Sequence, residues 1–258
     1  MTATDRDETP SKLAPERMTY FGTEDYRRAG RMIVRSFKWL CVSCLGIFLA
    51  GHVYAFALGL VQPPVTLNQL GTVLTGLSLK RDVVPLRRIS PNLVHAVIAA
   101  EDSRFCQHDG LDLAAIKQAI AERKAGGRLR GASTISQQTA KNAFLWNGGG
   151  FVRKAGEAWM TLIIEASWDK ARIMEIYLNN AEWGDGIYGA EAAAQRRFGK
   201  PAADLSTREA ALLAAVLPSP NKWRVDPPSS YVSGRAGTIQ QRMAIVKRDG
   251  LAACVLPE

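Results

Sequence analysis

SPNLVHAVIAAEDSRFCQHDG, residues 90–110, is the stretch from which the rest of the chain is read. Ser90 is a good helix N-cap and Pro91 suits the first helical position, so a helix opens here and runs through Ala100. Val94, Val97, Ile98 and Glu101 follow three- and four-residue spacing, which puts Glu101 on the apolar face close to the helix C-terminus. Burial and the negative end of the helix dipole both disfavour a carboxylate and raise its pKa. A raised carboxyl pKa is what a general acid or base near neutral pH requires. The blander reading makes Glu101 a partly exposed helix-end residue paired with Arg104.

Working outward, helical signals dominate. A helix is expected from about Asp112 to the glycine stop Gly126-Gly127, and another from Ser133 to Leu145. Gly148-Gly149-Gly150 breaks the chain, and helices follow over Val152–Trp168 and Lys170–Asn179. Ser206-x-x-Glu209 is a capping box before the apolar run Ala210–Leu217, which Pro218 and Pro220 end; a last helix covers about Gly234–Lys247. Residues 62–90 look extended and irregular. The domain is therefore mainly α, in one piece, with two lobes around a cleft.

Three further segments carry chemistry. GASTISQQ (131–138) continues to Lys141-Asn142, and a Gly-Ala-Ser-Thr helix start offers backbone N–H groups and hydroxyls to an anion such as a phosphate. Alone, the segment also reads as an ordinary serine cap. Arg153-Lys154-x-x-Glu157 is either a surface ion pair or a second carboxylate with two cations facing a pyrophosphate. Lys170-x-Arg172-Ile173 runs on to Tyr177-Leu178-Asn179, and the glycines of Gly184-x-Gly186-x-x-Gly189 suggest close backbone approach rather than chemistry.

Ahead of this domain, WLCVSCLGIFLAGHVYAFALGLV (39–61) holds no formal charge, and its 23 residues suffice to cross a hydrocarbon core about 30 Å thick. Arg27, Arg28, Arg31, Arg35 and Lys38 precede it with no acid after Asp25, so the positive-inside rule places residues 1–38 in the cytoplasm and 62–258 outside. Ala55-Phe56-Ala57 resembles a signal-peptide cleavage site, but the basic leader and the apolar run are too long for one. The net charge is +9, of which the first 61 residues (eight basic, six acidic) supply +2 and the remainder +7. A basic domain favours nucleic acid, an anionic membrane or a phosphate-bearing substrate. Cys41 and Cys44 lie in the apolar run; Cys106 and Cys254 lack metal-ligand spacing, so four free thiols are expected.

Taken in order, these segments resemble the five signature motifs of glycosyltransferase family 51, which includes the glycosyltransferase halves of class A penicillin-binding proteins and stand-alone peptidoglycan transglycosylases. The matching pieces are E-D-x-x-F-x-x-H-x-G, G-A-S-T-I-x-Q-Q-x-x-K-N, R-K-x-x-E, K-x-x-I-x-x-x-Y-L-N with G-x-G-x-x-G, and the alanine-rich helix leading to L-P-x-P, together covering about residues 85–230. The resemblance implies a lysozyme-like, mainly α fold with two lobes around a cleft facing the membrane. It also implies polymerisation of lipid II, by transfer of the growing lipid-linked glycan from undecaprenyl pyrophosphate to the 4-hydroxyl of the incoming precursor. Glu101 matches the family's general base and Glu157 its second catalytic glutamate. Ser133, Gln137, Lys141, Arg153 and Lys154 match phosphate- and sugar-binding positions; Asp102, Phe105, His108, Arg130, Thr134, Gln138 and Asn142 complete the substrate-binding set. No metal-ligating residue and no obligatory cofactor is implied, with a divalent cation (Mg or Mn) at the pyrophosphate as an option. The implied partners are the membrane, in a single N-in span of the bacterial inner membrane with a periplasmic domain, and other cell-wall synthesis proteins; nucleic acid is not among them. The chain departs from the family pattern at Arg197 and at Gly148–Gly150.

Two rivals remain: a lysozyme-like hydrolase, which would also use a buried glutamate, and a non-catalytic scaffold binding lipid II. Ser219-x-x-Lys222 fits one transpeptidase motif, but no S-x-N or K-T-G follows it.

Overall fold

The computed structural model describes residues 23–127, 131 and 133–256. Among them are ten α-helices: α1 Thr23–Leu58, α2 Leu67–Leu74, α3 Pro91–Glu101, α4 Leu113–Lys124, α5 Ile135–Phe144, α6 Gly150–Ser167, α7 Lys170–Asn180, α8 Ala190–Phe198, α9 Thr207–Val216 and α10 Ser230–Arg248. Two short strands, β1 Lys80–Arg81 and β2 Ile187–Tyr188, pair in parallel. The chain divides into two compact units, residues 1–50 and 51–258.

In the first unit α1 starts at Thr23 rather than at Trp39, because nothing between the arginines interrupts good helix-forming sequence. Its apolar side chains are exposed, Ile47 by 75%. From Tyr26 to Leu58 the helix is long and apolar enough to cross a membrane, which fits a single-pass anchor.

The second unit begins inside the apolar run, not after it. Ala55 and Leu58 are buried, the indole of Trp168 donates to the carbonyl of Ala55 (3.0 Å), and the guanidinium of Arg172 donates through Nη2 to Leu58 O (2.9 Å). The last turns of α1 are thus part of this unit's packing, and the domain boundary lies upstream of residue 62.

Two groups of helices form the domain, with α3, α9 and α10 packed on one another and α5 packed against α6 and α7. Local signals account for the helix starts. Ser90 Oγ accepts from Asn92 N with Pro91 following, and Ser206–Glu209 forms its reciprocal capping box. The stretch 62–90 is less irregular than expected, since Thr66 and Gln69 form a capping box that opens α2. At Gly186, with φ +72°, a Cβ would lie 2.6 Å from Ser78 O, so the glycine motif serves the close approach of β2 to β1. Arg197 spans that turn, donating to Trp183 O and Asp185 Oδ2.

The cysteines correct the sequence reading. Cys106 and Cys254 form a disulfide across 148 residues, with their Cα atoms 5.6 Å apart, and only Cys41 and Cys44 are free. Packing brings together two residues whose separation carries no local signature.

Candidate active site

Glu101 is the last residue of α3, and its carboxyl looks onto a cavity of about 440 Å³ that Ser133, Gln138, Pro218, Arg235 and Arg242 also line. Burial raises its pKa above the usual carboxylate range, against the hydrogen bond from Gln138 and the charge of Arg235. That bond runs from Gln138 Nε2 to Glu101 Oε2 at 2.9 Å, and Tyr177 Oη donates to Gln138 Oε1 at 3.3 Å. Burial and the neighbouring Glu101 and Asp102 hold the Tyr177 phenol well above its ordinary pKa, so it stays a donor. This orients the Gln138 amide with its NH₂ toward Glu101. Arg235 Nη2 stands 3.9 Å from Glu101 Oε1, and its Nε donates to the carbonyl of Ala215 in α9. The alternative pairing of Glu101 with Arg104 does not occur, because Arg104 faces Asp112 (3.4 Å).

Asp102 fixes the end of α3. Its buried carboxylate contacts His108 Nε2 (3.1 Å) and accepts from the backbone N–H of Ile135 (3.0 Å), the first residue of α5. His108 Nδ1 accepts from Gly110 N, and Phe105 is fully buried with Lys170 Nζ 4.6 Å from its ring centre. These three motif residues hold the surroundings of Glu101 in place instead of lining the cavity.

The start of α5 departs from the expected free anion site. Thr134, not Ser133, is the N-cap, and it forms a reciprocal capping box with Gln137. With Ile135 N given to Asp102, the backbone donors of Thr134, Ile135 and Gln137 are all engaged. Thr134 Oγ1 in turn donates to Gly110 O. Ser133 is left at the mouth, where its hydroxyl accepts from Lys154 Nζ (3.2 Å).

The cationic side is built on α5 and α6. Glu157 is buried, 3% exposed, with Arg153 Nη1 on one oxygen (2.6 Å) and Lys154 Nζ on the other. The pair is therefore no loose surface ion pair; a buried carboxylate pins two cations that would otherwise spread over solvent. Lys141, two turns along α5, lies within electrostatic reach of both glutamates. Burial lowers its pKa, Glu157 opposes the shift, and Arg153 and Lys154 add to it. Among the described residues Lys141 makes no ion pair or hydrogen bond through its ammonium. Asn142 beside it is half-buried. Gly148, Gly149 and Gly150 all have positive φ (+89°, +80°, +58°), and Arg153 Nε donates to Gly148 O. A turn of that shape needs glycine, which is the physical reason for the departure at this point. Arg130 lies outside the described residues.

The matching family model is that of the transglycosylases, and it spans residues 68–244. The chain belongs to the transglycosylase family. It is 54% identical over 226 residues to the biosynthetic peptidoglycan transglycosylase of Rhodospirillum centenum, covering 87% of this chain and 98% of that protein. It is 48% identical over 227 residues to the one from Caulobacter vibrioides (88% and 99%), and 56% identical over 165 residues to the one from Aeromonas hydrophila (64% and 70%). As a transglycosylase it is a glycosyltransferase enzyme, and its helical domain is lysozyme-like. Of the residues gathered at this candidate site, the sequence motifs contain Glu101, Gln138, Lys141 and Glu157, whereas Arg235 and Arg242 of α10 and the donor role of Tyr177 lie outside the sequence reading. The Y-L-N motif holds Tyr177 but gives no sign of its donor role, and nothing local to α10 points to Glu101.

Proposed function

We propose that this glycosyltransferase polymerises lipid II into the glycan strands of peptidoglycan. The growing chain is transferred from undecaprenyl pyrophosphate to the 4-hydroxyl of the incoming precursor. The observation that carries the proposal is Glu101, a mostly buried carboxyl with raised pKa that looks onto an open cavity and is held by Gln138 and Tyr177. Its ionised form accepts the proton of the sugar hydroxyl as the new O4–C1 bond forms. The C1–O bond to pyrophosphate breaks at the same centre, and the electron pair leaves with the phosphate oxygen.

Lys141 and the Arg153–Glu157–Lys154 group meet the charge that develops on the leaving pyrophosphate. Glu157 keeps two cations in one place and is itself fully engaged. The donor set does not fit a protein-held divalent cation: both oxygens of Glu157 carry cationic partners, and no group of three His, Cys, Asp or Glu side chains is gathered among the described residues. The proposed chemistry assigns the leaving pyrophosphate to cationic side chains and routes no step through a divalent cation. Phe151 and Val152, 87% and 80% exposed at the start of α6 beside Arg153, suit an anion that arrives on a lipid.

The arginine cluster before the apolar helix supports an N-in orientation, which would place the domain in the periplasm beside the inner membrane. A disulfide in the domain accords with that oxidising compartment. The test is polymerisation of lipid II by the purified full chain. Glu101→Gln keeps the size and removes the basicity, so turnover should fall by roughly 10² or more while lipid II still binds. Wild-type turnover in that variant would sink the assignment of the base, and cleaved muropeptides in place of long glycans would turn the reading to a hydrolase.

A further inference from the structure

The cavity at Glu101 does not end at the base. A second cavity, of about 400 Å³, adjoins it and shares Ala100, Arg235 and Arg242 in its wall. Its floor is one face of α10, where Tyr231, Arg235, Thr238 and Arg242 recur at three- to four-residue spacing. At the far end Tyr231 is exposed and packs against Trp223, their ring centres 5.0 Å apart. Arg235 is oriented by the Ala215 carbonyl and stands beside Glu101. Arg242 is exposed and makes no ion pair or hydrogen bond among the described residues. Two arginine forks, a hydroxyl and the ring of Tyr231 thus line a groove that leads from the base along α10, and the described hydrogen bonds use little of this polar capacity.

We propose that this face of α10 is a saccharide subsite that holds the glycan by the carboxylates of its peptide substituents. The inference rests on the polymerase reading and extends it to how the strand is gripped. Planar guanidinium groups match carboxylates with two parallel hydrogen bonds. A sugar or peptide face stacks on the exposed tyrosine, which a bare pyrophosphate does not do. The cations that answer pyrophosphate stand together on α5 and α6, whereas Arg235 and Arg242 stand on α10, from which Arg235 reaches Glu101.

The test uses the full chain in detergent carrying Glu101→Gln, so that binding is read without turnover. The probes are a soluble peptidoglycan tetrasaccharide bearing its peptide stems, the same tetrasaccharide with the stems removed, and inorganic pyrophosphate. Arg242→Gln should weaken binding of the stem-bearing fragment about three- to tenfold, as expected for a charge-assisted pair at an exposed site. Arg242→Glu should weaken it further and Arg242→Lys restore part of it, while the stem-free fragment binds all variants alike. Arg242 is exposed, so these changes leave the fold intact, which a circular dichroism melt checks. Equal affinity of Arg242→Glu and the parent for the stem-bearing fragment would overturn the proposal. So would equal losses for both fragments, or displacement of the fragment by pyrophosphate. In the chain with Glu101 intact, Arg242→Gln should raise KM for the elongating strand far more than it lowers kcat. Wild-type turnover in Glu101→Gln would refute the base and leave the α10 binding data standing, so the two failures are distinguishable.

Discussion

Removing the Cys106–Cys254 disulfide should lower stability measurably without dismantling the core. The bond joins the turn after Glu101 and Asp102 to the C-terminal segment, closing a loop across 148 residues. Chain-entropy reasoning gives about 5 kcal/mol for a loop of that length at 25 °C, and residual structure in the unfolded chain brings typical effects down to about 2–4 kcal/mol. For a domain of roughly 200 residues each kcal/mol moves Tm by about 2–4 °C, so a loss of about 3 kcal/mol corresponds to roughly 6–12 °C. The perturbation is the double variant Cys106→Ser/Cys254→Ser in the full chain, melted in detergent with and without reductant. Wild type should drop toward the variant when reduced, and the variant should not respond. Cys41 and Cys44 serve as an internal control: denatured protein that has not been reduced should take up two alkyl groups, and reduced protein four. Four alkyl groups without reduction, or a double variant melting with the wild type, would refute the reasoning.

The pH dependence of kcat/KM should be bell-shaped. The acid limb belongs to Glu101, whose raised pKa makes activity appear as pH rises through it; the alkaline limb belongs to Lys141, whose lowered pKa removes its charge earlier than an exposed lysine would lose it. Lys141→Arg should move the alkaline limb upward while leaving the acid limb in place, and an unmoved alkaline limb would remove Lys141 from that role. Glu101→Gln should raise Tm at neutral pH, because a carboxyl whose folded pKa lies above its unfolded value favours the fold only when protonated and that contribution is lost as pH rises through the interval between the two values. Deleting residues 1–50 should leave a folded domain, whereas deleting 1–61 should lower its melting temperature clearly, since the second cut strips buried Ala55 and Leu58 from Trp168 and Arg172; equal melting of the two truncations contradicts this. A reporter active only outside the cytoplasm should work when fused after Glu258 and fail when fused before Arg27, and the reverse pattern overturns the orientation.

The sequence by itself determined whatever depends on near neighbours. An uncharged run after five basic residues reads as a span at any position in any fold. Ser90-Pro91 and Ser206-x-x-Glu209 cap their helices because a cap satisfies donors within one turn. The apolar spacing of Val94, Val97 and Ile98 put Glu101 on the inward face of its helix, with its side chain mostly buried, for the same local reason. The motif order was likewise legible, and with it the family. Thr66-x-x-Gln69 is a capping box of the same local kind, and it opens α2 within a stretch whose prolines read as irregular. Tertiary structure decided what depends on which elements pack against one another. It spent the Ile135 donor on Asp102, taking one N–H from a helix start whose sequence offered several to an anion. It buried Glu157 between Arg153 and Lys154, where spacing alone allowed a surface pair. It drew Arg235 of α10 to within 3.9 Å of Glu101 and Cys254 onto Cys106. It also folded the last turns of α1 into the domain. Such contacts leave no mark on either partner's neighbours, because they arise from which helix faces pack together, and that choice is made by the whole core at once.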